Sequence, residues 1–220
     1  MIFFPELELS MPKWIDLTRT LSHGMAAFPG DDPPEFVQKT DVTKEGYTTF
    51  RVSIGVHVGT HLDAPWHMVE GGKCLSDLPV ERFMGKGCLV DARGKSRITA
   101  EVLGGKDLEK TDIVFVYTGF EKHFNDPQRY FGTYPEMTED FAMALVQAGT
   151  RILGMDTASP DRDAPFVVHK TLLAREILLI ENLVNLESLV GAKQFEVIAL
   201  PAKFKCEAGP VRVIARILKQ

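Results

Sequence analysis

Short apolar runs, separated by Gly, Pro and polar residues, recur along most of this chain. They predict strands at residues 14–17, 47–58, 87–91, 113–118, 151–155, 177–180, 196–200 and 211–218. Helical periodicity is scarcer. Residues 138–147 open on a cap-like Thr-Glu-Asp and end at Gly149, the usual punctuation of a helix C-terminus. Residues 98–103 suit a shorter helix and 170–174 a single turn. Strand content exceeds helix content, and most strand pairs lack an intervening helix long enough for a crossover. The expected fold class is α/β, mixed and strand-rich, with much antiparallel or barrel-like sheet in place of a doubly wound one. No repeat, low-complexity tract or linker divides the chain, so residues 1–220 are expected to form a single domain. One connection, residues 119–135, is long and rich in aromatics. It suits a lid, a subunit contact or a surface loop anchored by its own rings.

Composition narrows the function classes. Apolar residues make up 45% and charged residues 25%, ordinary for a globular protein with a core. The net charge of -5, with no Lys/Arg cluster, argues against a nucleic-acid surface. The opening Met-Ile-Phe-Phe-Pro-Glu is too short an apolar run for a signal peptide, and no stretch approaches the roughly 20 apolar residues that cross a bilayer. Cys74, Cys88 and Cys206 are an odd count without ligand-like spacing, read as reduced thiols of a cytoplasmic protein.

The chemistry concentrates in His57-Val-Gly-Thr-His-Leu-Asp-Ala-Pro-Trp-His67. If the strand at 47–58 continues to Asp63, a period of two sends the even residues to the core. His57, His61 and Asp63 then share the opposite, polar face. Reach adds a constraint. In a straight strand His57 and His61 would be roughly 13 Å apart at about 3.3 Å per residue, too far to hold one ion. Gly55, Gly59, the β-branched residues between them and Pro65 argue against a helix. A bend at Gly59 is therefore expected, after which Pro65 ends the strand and turns Trp66 and His67 back over the site. Three of the chain's six histidines and an Asp within eleven residues point to metal binding. Such N,N,O donors suit Zn²⁺, Mn²⁺ or Fe²⁺, which lower the pKa of bound water to about 7 and polarise carbonyls. His67, set apart by Pro65, is expected to be the catalytic proton shuttle.

The pattern His-x-Gly-Thr-His-x-Asp-x-Pro-x-His resembles the signature of the cyclase-like metal hydrolases, a family that includes bacterial kynurenine formamidase and isatin hydrolase. Asp16-Leu-Thr18, Phe28-Pro-Gly-Asp31, Gly154-Met-Asp-Thr-Ala-Ser-Pro-Asp161, Pro201 and Gly209-Pro-Val-Arg212 agree with it along most of the chain. The resemblance implies a swivelling β/β/α fold and a first metal held by His57, His61 and Asp63. A second ion would be held by His169 and by Glu181 twelve residues later, with the Asp bridging. It further implies Zn or Mn as the cofactor, binding of two ions per subunit, and a homodimer or homotetramer. The implied partner is a small-molecule substrate, with no nucleic acid and no membrane. The implied activity is hydrolysis of an amide or cyclic amide at its carbonyl.

Phe28, Trp66 and Ser159 are candidate substrate contacts, although core packing or an ordinary turn explains each nearly as well. Two departures leave the substrate open: residues 206–212 replace the family's usual closing stretch, and no tryptophan precedes Pro29. Lactone or ester hydrolysis, or cyclisation, would use the same site, and a closed, non-catalytic metal site is the reading from a different class. A serine hydrolase is disfavoured because no Gly-x-Ser-x-Gly elbow occurs.

Overall fold

The computed structural model describes residues 13–219. In chain order its strands are β1 (Ile15–Asp16), β2 (Glu35–Thr40), β3 (Thr49–Ser53), β4 (His61–Asp63), β5 (Met84–Asp91), β6 (Arg97–Ile98), β7 (Ile113–Tyr117), β8 (Glu136–Met137), β9 (Ile152–Met155), β10 (Leu178–Glu181), β11 (Gln194–Pro201) and β12 (Ala208–Lys219). The helices are α1 (Val42–Glu45), α2 (Pro127–Gly132), α3 (Glu139–Ala148) and α4 (Val167–Leu173). The opening apolar run read as too short for a leader lies outside the described residues.

Eight strands make the main sheet, in the order β1-β12-β11-β5-β7-β9-β10-β4, and β12 also pairs with β4. That second pairing closes seven of the strands into a barrel, leaving β1 as a flap on β12. The sheet is mixed. β5, β7, β9 and β10 run parallel, whereas β11, β12 and β4 are antiparallel to their neighbours. A four-strand parallel run was not expected from the scarcity of long helices. Short helices and 3₁₀ turns make the crossovers instead, which single-turn segments conceal in the periodicity.

Two apolar layers follow from strand alternation. Ile113 and Phe115 of β7, with Leu62, Leu89, Ile180, Phe195, Val197 and Val213, fill the barrel. Val114 and Val116, with Val90, Leu153, Met155 and Leu179, face outward under Phe141 and Leu145 of α3 and Val168 and Leu172 of α4. Being covered on both sides, β7, β9 and β10 read as unbroken apolar runs. Gly154 sits where a Cβ would come within 2.6 Å of the Phe115 ring, so the aromatic fills the space a side chain would need.

Helix α3 occupies the predicted span nearly to the residue and ends at Gly149 with φ 72°. α4 is longer than the single turn expected at 170–174, and residues 100–103 form a 3₁₀ turn. The predicted strand over 47–58 is a larger miss. It splits into β3, all of whose residues are exposed, and a loop, so Phe50 and Val52 do not enter the core. β3 pairs only with β2, in a separate two-stranded ribbon. Alternation alone cannot tell a half-buried strand from a ribbon with nothing against either face. The aromatic connection is not an irregular lid. It contains α2, and its own Tyr130 and Tyr134 are buried, with Phe120, Phe124 and Phe131 packed against them. The Tyr130 hydroxyl donates to Asn182 Oδ1 at 2.9 Å, and that of Tyr134 to the Asp161 carbonyl at 2.7 Å. Among the described residues no helix is long and apolar enough to cross a membrane.

Candidate metal centre

β4 is only three residues long, yet it delivers two of the central side chains. Leu62 points into the barrel, while His61 and Asp63 point together to the other side, as a period of two requires. Antiparallel pairing places Glu181, the last residue of β10, directly opposite His61. β12 flanks β4 on its other edge, with Ala208 opposite Asp63. His57 lies in the loop before β4. Gly59, at φ 65°, makes the bend the reach argument demanded, and a Cβ there would meet Leu21 Cδ2 at 2.6 Å. Pro65 opens a 3₁₀ turn ending at His67, whose ring centroid comes within 4.3 Å of that of His57. α4 carries His169, with Nε2 3.2 Å from Glu181 Oε1 and 3.9 Å from Asp63 Oδ2. The sequence-nominated ligands His57, His61, Asp63, His169 and Glu181 and the nominated proton shuttle His67 thus converge on one place.

Their donor atoms fall into two groups around Asp63: His57, Asp63 and His67, and His61, Asp63 and Glu181. In each group one atom per residue lies within 4.8 Å of the others. This differs from the grouping His57/His61/Asp63 that the sequence suggested, and it puts His67 beside a cation seat as well as beside the pocket. The unsatisfied atoms test whether an ion fits. His61 Nε2, both Asp63 carboxylate oxygens and Glu181 Oε1 are buried without a hydrogen-bond partner, although His61 Nε2 and Glu181 Oε2 are only 3.3 Å apart. Burying such groups unpaired is costly, and a divalent cation held between these residues would offset that cost. Nitrogen and carboxylate donors are also a fitting set for zinc or manganese.

Electrostatics show what occupies that role when protons alone are available. Burial works against a charged His61, but Asp63 and Glu181 outweigh it and push its pKa up to about 9. Burial likewise opposes charge on His169, and Asp161, Glu181 and Asp63 push it up to about 10. Asp63, despite its burial, is held well below the usual carboxylate range by His61 and His57. His67 goes the other way. Burial, helped by the neighbouring His57 and His169, outweighs Asp63 and lowers its pKa, so its imidazole stays neutral at neutral pH.

The cluster opens into a cavity of about 300 Å³. Phe28, Phe131 and Phe166 give it aromatic walls, and Met68, Ser159, Asn182, Asp31 and Arg162 complete much of the lining. Phe28 and Ser159, candidate substrate contacts from the sequence, are among that lining. Trp66 is not: its side chain is 48% exposed and lies outside the lining, because the 3₁₀ turn that brings His67 inward carries its neighbour outward. Four residues escaped the sequence reading. Phe131 is on α2, and Phe166 has a left-handed backbone at φ 56° just before α4. Asp161 lies 3.0 Å from His169 Nδ1, and Glu207 Oε1 lies 3.6 Å from His57 Nε2. Asp161 lies in a stretch that carried the family resemblance and Glu207 in the one that departed from it, and no local spacing ties either to its histidine.

A closed barrel with a histidine–carboxylate cluster at the base of an aromatic cavity defines a class, the barrel proteins that carry a metal centre. The chain belongs to the cyclase family, described as "Putative cyclase", whose model matches residues 15–162. A kynurenine formamidase of Bacillus cytotoxicus is 31% identical over 212 residues, covering 94% of this chain and 98% of the relative. The kynurenine formamidase of Bacillus mycoides is 30% identical, covering 93% and 97%. Among solved structures, one described as a potential metal-dependent hydrolase with cyclase activity superposes with a TM-score of 0.79 at 27% identity, over 96% of this chain and all of the other. Isatin hydrolase A from Ralstonia solanacearum shares the fold, with a TM-score of 0.81 at 20% identity over 92% of this chain and 91% of the other.

Proposed function

We propose that this protein is a metal-dependent hydrolase that attacks the carbonyl of an amide or cyclic amide carried on an aromatic ring. The observation that carries the reading is the set of buried, unpartnered donor atoms of His61, Asp63 and Glu181 at the base of an aromatic-walled cavity. The kynurenine formamidase relatives support an amide substrate. In this reading His61, Asp63 and Glu181, with His169 alongside, would hold one ion, and His57 and Asp63 would help hold a second. Zinc or manganese is the metal in question, and the three free thiols accord with a cytoplasmic setting. A bound divalent ion supplies Lewis acidity, which polarises a carbonyl and lowers the pKa of water to about 7.

The chain's own residues do the rest. Phe28, Phe131 and Phe166 clasp a flat ring and exclude water from the reacting carbonyl. Ser159 lines the cavity, where its hydroxyl would donate to the carbonyl oxygen as charge develops there. His67, neutral at the outset, takes the proton lost by the attacking water and returns it to the leaving nitrogen.

The test is turnover of N-formylkynurenine, isatin and small lactones by zinc- and manganese-loaded protein and by protein stripped with a chelator. Amide turnover that is lost on stripping and regained on reloading is expected. Turnover of lactones alone would replace the amide reading with the ester one. His67→Ala should keep its metal and lose about 10²–10⁴-fold in rate. A His67→Ala protein whose metal content falls would make His67 a ligand, as its place beside His57 and Asp63 also allows.

A further inference from the structure

The two buried histidines of the cluster each have a ring nitrogen turned away from it, and what meets that nitrogen differs. His61 Nδ1 lies 2.8 Å from the Gly59 carbonyl, an uncharged acceptor supplied by the bend itself. His169 Nδ1 lies 3.0 Å from Asp161 Oδ2, a charged one. Asp161 is itself tightly held. Its Oδ1 accepts from the Val168 backbone N–H at 3.0 Å, and its Oδ2 also accepts from the His169 N–H at 2.9 Å. Its carbonyl accepts from the Tyr134 hydroxyl, and its own N–H reaches Ser159 Oγ at 3.4 Å.

Every group that approaches the carboxylate is therefore a donor, and an ionised carboxylate can only accept. Nδ1 of His169 must carry its proton, which leaves Nε2 as the nitrogen presented to Glu181 and Asp63. We infer that Asp161 is a positioning residue of the metal centre: it fixes the tautomer and ring orientation of His169 and strengthens it as a ligand on the Glu181 side. A neutral amide cannot substitute. Asparagine offers one acceptor oxygen and an NH₂ that would face either a backbone N–H or Nδ1, and the second choice turns the imidazole to the tautomer that cannot ligate through Nε2.

This inference rests on the reading of the cluster as a metal centre, and the experiment separates the two. Zinc affinity is measured by competition with a chromophoric chelator for wild-type, Asp161→Asn and Asp161→Ala proteins. The tautomer of His169 is read by two-bond ¹H–¹⁵N correlation on zinc-loaded protein. Expected are a protonated Nδ1 in the wild type and a loss of about 10–100-fold in affinity in both variants. Asp161→Asn preserves shape and decides the matter if Asp161→Ala unfolds. Wild-type zinc affinity in Asp161→Asn, even with a lowered melting temperature, would reduce Asp161 to a structural residue and overturn the inference. So would an unprotonated Nδ1 in the wild type. A wild-type chain that binds no zinc would overturn the metal centre as well.

Discussion

At the scale of residues, His61 and His169 record the field of the site. Their pKa values are raised above the ordinary 6.5, so their protonated forms stabilise the metal-free fold. That contribution is complete below about pH 6.5 and is lost as pH rises through about 9 and about 10. The melting temperature of metal-free protein, followed by circular dichroism, should therefore fall between pH 7 and 10, and less so after zinc loading. The same protons must leave when an ion arrives. Adding zinc to unbuffered metal-free protein at pH 8 should release at least two protons per chain, one from each imidazole and any further one from metal-bound water, measured by pH-stat titration. No release would mean that these histidines do not ligate.

At the scale of elements, the site depends on short pieces whose aim is set by their ends. Gly59 is the clearest case, with φ 65° and Leu21 against the place a Cβ would take. Gly59→Ala should destabilise the fold by about 1–3 kcal/mol, read by chemical denaturation. It should also weaken zinc binding, because the same residue turns the chain from His57 toward His61. Here the sequence was informative. The distance two histidines must span, and the absence of a helix, required a bend, and only glycine suited it. The extended run before it was misleading. Phe50 and Val52 alternate as core residues do, and only the missing partner sheet makes them surface. Trp66 failed for a similar reason, since a 3₁₀ turn sends neighbours about 120° apart and no residue type declares which goes in. Asp161 was illegible because its relation to His169 is made by a loop and a helix start, not by a period.

At the scale of the whole molecule, the strand-rich character and the convergence of distant donors were legible, whereas closure was not. Nothing in β12 announces that it will pair with both β11 and β4. The ribbon of β2 and β3 raises a different point. β3 is exposed throughout and β2 in half of its residues, with Phe50, Val52 and the preceding Tyr47 about half exposed, and a lone two-stranded ribbon is marginal in water. We propose that it is covered by another copy of this chain in a homodimer or homotetramer. Sedimentation equilibrium should show an oligomer for the wild type and a smaller species for Phe50→Glu/Val52→Glu. A wild-type monomer would dismiss the idea.

The pairing that closes the barrel also bears on how the protein is made. β4 is clamped between β10 and β12, and its partners Ala208–Pro210 lie some 145 residues further along the chain. Contacts of such separation form late, since a long loop must be closed before they contribute anything. His61 and Asp63 therefore leave the ribosome long before their surroundings exist. An ion held by His61, Asp63 and Glu181 would need β4 and β10 already paired, so the chain's own long-range contacts would have to form before such an ion found its full donor set.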